Sequence, residues 1–360
     1  MMNEIIENRF IANLTRNFRR SPIQVNQLHE SDAEIIRLNA ESLLAITTDT
    51  IAEEISVGLY HDPYLIGWMA VMVNMSDLAA VTAEPLGIVV SQVLPPDYPE
   101  VSLHRLQEGI QAACDRCGTF LLGGDTNLAQ NMTLTGCAIG TVNNGRFLSR
   151  CGCEAGDVLY ATNLLGGGNM FALEVFAPAL IPNYRQTASF APREYQPVAR
   201  LAEARCLAEF ANACMDTSDG VFATLDQLMR LNKVGFELEE SWQTCLHPGA
   251  TEMAIHYGIP TWLLLGGQHG EFELLFTVPE DREYAFLRSA EELSWTPLRI
   301  GRVIHEPSIQ VPLYGSLVSL DTGRIRNLGN RFSGEISSYV KQLMNIDSEI
   351  QKGASHHVNQ

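Results

Sequence analysis

Five short segments of the chain place aspartate at or beside a tight, small-residue turn: Ser31-Asp32, Thr47-Thr48-Asp49, Asn74-Met75-Ser76-Asp77, Gly123-Gly124-Asp125-Thr126 and Asp216-Thr217-Ser218-Asp219-Gly220. Most of these acids follow or interrupt apolar runs (Leu43 to Ile46, Trp68 to Val73, Phe120 to Leu122), where an element ends and its side chains can converge. Converging carboxylates without basic partners repel one another unless hard cations lie between them. Mg²⁺ takes a few carboxylate oxygens and fills its remaining positions with water and substrate phosphates. The pattern predicts a fold that gathers distant acids around magnesium and a nucleotide polyphosphate.

At 360 residues the length favours two domains, each large enough for its own core. With 46% hydrophobic and 18% charged residues the chain reads as globular and soluble. No apolar run is long enough to span a membrane, and Met1 to Arg20 lack the apolar centre of a secretory signal. The formal net charge of −18 argues against nucleic acid or an anionic membrane as partner. ATP remains compatible, because metal ions screen its phosphates. Eight cysteines in a chain without an export signal point to free thiols in a reducing cytoplasm. Cys114-x-x-Cys117 and Cys151-x-Cys153 could be halves of a zinc site. The first pair, however, falls in a helical pattern with Leu103, Leu106 and Ile110, and the second has the wrong spacing for a zinc ribbon, so core thiols are the better reading.

Strand and helix patterns alternate in both halves, which predicts an α/β (α+β) class. A helix is expected over residues 1–20, a strand over Leu43 to Thr48, and an apolar helix opening at Asp62-Pro63 and running toward Ala83. Gly87 to Val93 reads as a buried strand, 99–117 as a helix and Met132 to Val142 as a strand. Thr119 to Leu122 reads as a strand ending in a Gly-Gly-Asp turn, and a short strand is expected at Phe147. Gly152 to Asp157 marks a boundary, giving domains at 1–151 and 152–346 and a frayed polar tail at 347–360. In the second half, strands are expected at Val158 to Thr162, Glu271 to Val278 and Arg299 to Val303. Helices are expected at Met170 to Phe176, at Val198 to Ala211 and from Asp219-Gly220 to Met229. Residues 181–197 read as a loop.

The chemistry sits in these turns. Glycines at 123 and 124 would let backbone N–H groups approach phosphate oxygens, with Asp125 supplying a metal ligand beside them; an ordinary Gly-rich turn fits that string as well. In Asp216-Thr217-Ser218-Asp219-Gly220, Asp216 ends a strand-like segment, and Ser218 or Asp219 can cap a helix whose N-terminus attracts phosphate. Simple capping would leave Asp216 idle. Asn74, Ser76 and Asp77 interrupt an apolar helix, where polar groups are costly unless paired. Arg150 could pair with phosphate or lie in a surface ion pair. There is no P-loop, nucleophile elbow or kinase catalytic-loop string, and the histidines stand singly.

In this order and spacing the strings TTDT (47–50), VNMSDLAAV (73–81), LGGDTN (122–127), LSRCGCEAGD (148–157), MDTSDGV (215–221) and GEFELLFTVP (270–279) resemble those of the thiamine-monophosphate kinases. That family lies within the AIR synthase-like (PurM-like) ATP-dependent superfamily. The resemblance covers residues 25 to 332 and implies an N-terminal α/β domain that pairs in a homodimer, a C-terminal α/β domain, and ATP with Mg²⁺ between them. It implies magnesium ligands at Asp32, Thr48, Asp49, Asp77, Asp125, Asp216 and Asp219. It implies ATP contacts at Gly123, Gly124, Asp125, Arg150 and Ser218, with Asp125, Asp216 and Asp219 at the catalytic centre. The acceptor side departs from the family. Glu30-Ser31-Asp32 replaces Gly-Asp-Asp, and Ser56 stands where the family carries a substrate-contacting histidine. The Gly-Gly-Glu-Asp-Tyr-Glu string becomes residues 266–273, two residues longer, so Gln268 and Glu271 both compete for the substrate glutamate's role. Phe332 is the nearest candidate for the closing aromatic.

The activity so implied is ATP-dependent transfer to a small-molecule phosphate acceptor, thiamine phosphate giving thiamine diphosphate. A phosphate monoester is largely anionic at neutral pH and needs no general base, so direct transfer without a phosphoenzyme is expected. Two other readings stand beside it: a relative that uses ATP to activate a carbonyl or amide oxygen, and a nucleotide-binding homologue without turnover.

Overall fold

The structure is a computed structural model that describes residues 3–142, 145–180 and 195–357. The chain is α/β and is built on two mixed sheets. In the first half, α1 (Ile6–Thr15) precedes β1 (Glu34–Arg37), β2 (Leu43–Thr50), α2 (Ala52–Ser56), α3 (Pro63–Ala80), β3 (Glu84–Leu94), α4 (Glu100–Cys117), β4 (Leu121–Leu128) and β5 (Thr133–Val142). The five strands pair in the order β1-β2-β5-β3-β4, with β3 and β4 parallel and the rest antiparallel.

The second half continues with β6 (Val158–Ala161), α5 (Gly167–Leu180), α6 (Leu201–Phe210), β7 (Ala213–Asp216), α7 (Val221–Asn232), β8 (Gly235–Leu238), α8 (Pro248–Tyr257), α9 (Leu263–Gly266) and β9 (Leu274–Val278). It ends with α10 (Glu283–Glu292), β10 (Leu298–Ile304), β11 (Ile309–Leu313), β12 (Ser316–Leu320), α11 (Thr322–Arg331) and α12 (Ile336–His357). Its seven strands run β12-β11-β8-β10-β6-β9-β7.

Helix α3 joins the halves. Pro63 opens it, where a missing N–H costs nothing, and nearly every later position is apolar. Such a helix must be covered all round. Sheet one and α4 cover one side, while α6 and β7 cover the other. The opposite face of sheet one stays open: every residue of β4 is exposed, and Leu86, Val89, Leu121, Leu122 and Leu128 stand in solvent.

Several expectations change. Gly123-Gly124-Asp125 is not a turn but the middle of edge strand β4, because Thr119 to Leu122 does not stop at the glycines. A Cβ on Gly124 would lie 1.9 Å from the Val90 carbonyl oxygen, so glycine there serves the tight β3–β4 approach. No strand forms at Phe147, and the second-half strand starts at Leu274, after residues 271–273 have turned into the protein.

The expected polar tail is helix α12 as far as His357, for a physical reason. Leu343 and Ile346 are buried, Asp347 accepts hydrogen bonds from Trp262 Nε1 (2.7 Å) and Tyr314 Oη (2.5 Å), and Glu349 pairs with Arg324 at 2.6 Å. Helix α1 forms where expected but lies on the second half, through Ile6 N–H to Asn327 and Glu7 to Arg326. Of the loop expected at 181–197, residues 181–194 lie outside the described residues. All eight cysteines are free, with Cys114 and Cys153 buried, in agreement with core thiols.

Candidate active site between the two sheets

Strand β2 delivers Thr47 and Asp49 to its helix-covered face, since alternate side chains of a strand share a face. Thr48 therefore points the other way, and its Oγ1 donates to the Gly136 carbonyl at 2.8 Å. Thr47 points toward α3: its Oγ1 donates to Asp77 Oδ2 at 2.5 Å. Period-two alternation in TTDT was the signal that could have found it. Asn74, one turn before Asp77 on α3, accepts the Asp49 N–H at 3.1 Å.

The second half brings Asp216 at the end of β7. Ser76 Oγ of α3 donates to Asp216 Oδ2 at 2.6 Å, and Ser218 Oγ to Oδ1 at 3.1 Å. Asp32 enters just before β1 and is held by Arg150 Nη2 at 2.8 Å. Carboxylate oxygens of Asp32, Asp77 and Asp216, from three distant segments, lie within 4.8 Å of one another.

The electrostatics of this cluster are unbalanced. Burial, then the Asp32 charge, pushes the Asp216 carboxyl up to about 7 despite Ser76 and Arg150. Asp77 is likewise raised by burial and by Asp49, Asp216 and Asp32. Asp49, accessible at the mouth yet walled by protein, rises to about 6 through desolvation, Asp219 and Asp32. Among the described residues, one cation, Arg150, hydrogen-bonds the cluster, and it does so at Asp32 alone. Asp32 Oδ2 is buried with no hydrogen-bond partner. An orphaned carboxylate oxygen facing two more carboxylates fits a hard divalent cation that prefers oxygen ligands. Asp32, Asp77 and Asp216 would hold it.

Asp125 does not join this group within one chain. It pairs in register with Ser91 on the exposed β4 edge, and Asn127 Nδ2 donates to it at 2.6 Å. Gly123 and Gly124 lie beside it on the same strand. Asp219 lines a cavity of about 240 Å³ formed between α2, α5, α9 and α12, which Gln268 and Phe332 also line. Ser56 is exposed at the end of α2 and does not line the cavity; its Oγ donates to the Glu53 carbonyl at 2.8 Å. Glu271 is turned away as well: its Oε2 accepts from the N–H groups of Gly166 (2.9 Å) and Gly168 (3.3 Å), satisfying donors at the start of α5.

The Asp216–Gly220 turn is held by a close backbone approach. A Cβ at Gly270 would lie 1.4 Å from the Thr217 carbonyl oxygen. Gly270→Ala is expected to cost about 1–3 kcal/mol of stability and to displace Asp216 and Asp219. Gly353→Ala, within α12 and with nothing within 4 Å of the added carbon, should melt no lower than the parent. Thermal melts of both variants check this; equal melting temperatures would refute the packing argument.

Residues 30–142 match the family model of the AIR synthase related protein, N-terminal domain. A thiamine-monophosphate kinase of Methanospirillum hungatei is 30% identical over 269 residues, covering 72% of this chain and 84% of that protein. The chain belongs to the thiamine-monophosphate kinase family. Among solved structures, a protein of Thermus thermophilus aligns with TM-score 0.73 at 26% identity, over 87% of this chain and 97% of that one. AaThiL, in complex with AMPPCP and TMP, shares the fold at TM-score 0.66 and 23% identity, covering 86% of this chain and 93% of that chain.

Proposed function

We propose that this chain is an ATP- and Mg²⁺-dependent kinase that phosphorylates thiamine monophosphate to thiamine diphosphate, releasing ADP. The observation that carries the reading is the meeting of Asp32, Asp77 and Asp216 from both halves, with an unpartnered buried oxygen on Asp32, while Asp219, three residues past Asp216, lines a cavity. Family membership agrees with it.

Bound magnesium would neutralise the phosphates of donor and acceptor. The chain's own groups do the positioning. Asp32, Asp77 and Asp216 hold the metal, with Asp49 and Asp219 at the mouth. Ser76, Ser218 and Thr47 orient their carboxylates, and Arg150 fixes Asp32 while presenting a cation toward phosphate. Positioning and charge neutralisation are what phosphoryl transfer asks of a protein, so the acceptor phosphate can attack directly with no protein base.

The open face of sheet one supports a homodimer. Its exposed leucines and unpaired β4 edge are surface that a soluble chain ordinarily covers. In that assembly Asp125, Gly123 and Gly124 of β4 would face a partner subunit rather than their own cluster. All eight cysteines are free and no described helix is long and apolar enough to cross a membrane, which accords with a cytoplasmic setting.

The test is product analysis with ATP, Mg²⁺ and thiamine monophosphate. Thiamine diphosphate in step with ADP is expected. Free phosphate without a phosphorylated product would replace the kinase by an ATP-dependent activator of a carbonyl or amide oxygen. Tight ATP binding with no ADP from any acceptor would mark a homologue without turnover.

A further inference from the structure

We propose that Glu54, not Ser56, recognises the organic part of the phosphate acceptor, its carboxylate accepting from an N–H-bearing or cationic heterocycle held in the cavity between the halves. The identity of that acceptor rests on the kinase reading above.

The cavity beside Asp219 is mainly apolar, walled by Leu173 and Phe176 of α5, Leu263 of α9, Phe332, and Leu343 of α12. Most of the few polar groups on its lining already have partners. Ser333 Oγ donates to Glu53 Oε1 at 2.8 Å, which ties α2 to the segment before α12. Asn169 Nδ2 donates to the Leu264 carbonyl at 2.8 Å, and His269 Nε2 lies 3.3 Å from Tyr60 Oη. Glu54 Oε2 is different: it is buried and has no hydrogen-bond partner. A buried acceptor left unpaired is costly, and Glu54 lines the cavity, so a donor-bearing ligand toward which the carboxylate swings gains what the empty cavity lacks. Desolvation, the largest influence on Glu54, raises its carboxyl to about 7, the behaviour of an acid with no compensating cation.

The helix explains why the role sits at 54. Glu54 and Ser56 are two residues apart on α2, hence about 200° apart around its axis. One side chain faces the cavity and the other faces solvent, where Ser56 Oγ donates to Glu53 O at 2.8 Å. The charges of Asp49 and Asp219 also act on Glu54. A ligand whose ring meets Glu54 can therefore extend its phosphate toward the acids.

The probe is unphosphorylated thiamine, which carries an aminopyrimidine and a thiazolium but no phosphate. Binding is measured by calorimetry on the full chain in chelator, without nucleotide. Saturable binding is expected, weakened at least fivefold by Glu54→Ala and less than twofold by Ser56→Ala. Glu54→Ala should melt no lower than the parent, since it removes an unpaired buried carboxyl, and should bind ATP–Mg²⁺ normally. A loss under fivefold, or no saturable thiamine binding by the parent, overturns the assignment. The kinase assay scores the other claim separately. Glu54-dependent thiamine binding with no thiamine diphosphate formed would sink the kinase and keep Glu54. Thiamine monophosphate turnover with a KM indifferent to Glu54→Ala would do the reverse.

Discussion

Asp216→Asn is expected to lower ATP turnover by about 10³-fold or more while leaving the protein folded. Asparagine keeps the size of the side chain and still offers an oxygen to Ser76 Oγ, which now donates to Asp216 Oδ2 at 2.6 Å. What it removes is negative charge where the second half meets Asp32 and Asp77. In chelator the variant should be more stable than the parent at pH 7.5, because a buried carboxyl crowded by Asp32 no longer has to ionise. An ADP-release assay and a melt in chelator measure the two effects. A variant that keeps more than a tenth of parental turnover would remove Asp216 from the metal site.

Metal-free protein should lose stability as pH rises from about 4 to about 8, and magnesium should restore it mainly at the upper end. An unfolded aspartate ionises near ~3.9, whereas Asp216 in the fold is held up to about 7 by burial and the Asp32 charge. Between those values the unfolded chain has released a proton that the folded chain keeps. Stability is therefore fully present below the unfolded value and is lost as pH climbs through the folded one, at about 1.4 kcal/mol per pH unit for each such group. Asp77, displaced in the same direction, adds to the slope. A cation bound by the ionised acids stabilises only the folded state, so its effect grows with their ionisation. Melting temperatures from pH 5 to 8, in chelator and in excess Mg²⁺, test this. Parallel curves would contradict it, and Asp216→Asn should flatten the chelator curve.

Much of this centre was legible because its residues sit where local rules operate. Asp49 at the end of a strand, Asp77 one turn after Asn74 and Asp216 before a capped helix each carry a short-range signature. The opposite facing of Thr47 and Thr48 was legible in principle: two threonines beside one aspartate on a strand cannot share its face, and only Thr47 does. Helix α12 was missed because its buried stripe (Leu343, Ile346) is diluted by polar residues whose partners, Trp262, Tyr314 and Arg324, lie far away in sequence.

By itself the sequence determined the class of the fold, the acids available for metal and a strongly acidic net charge, since these follow from periodicity, turn chemistry and composition. Only the tertiary structure decided which acids meet. It set Asp32, Asp77 and Asp216 within 4.8 Å and left Asp125 on an exposed edge strand. It also turned Glu54 inward, Ser56 outward and Glu271 toward backbone N–H groups. The reason is directional: spacing along a chain says which side chains an element carries. Where each one points is settled by strand parity, helix phase and the packing of elements that sequence does not place side by side.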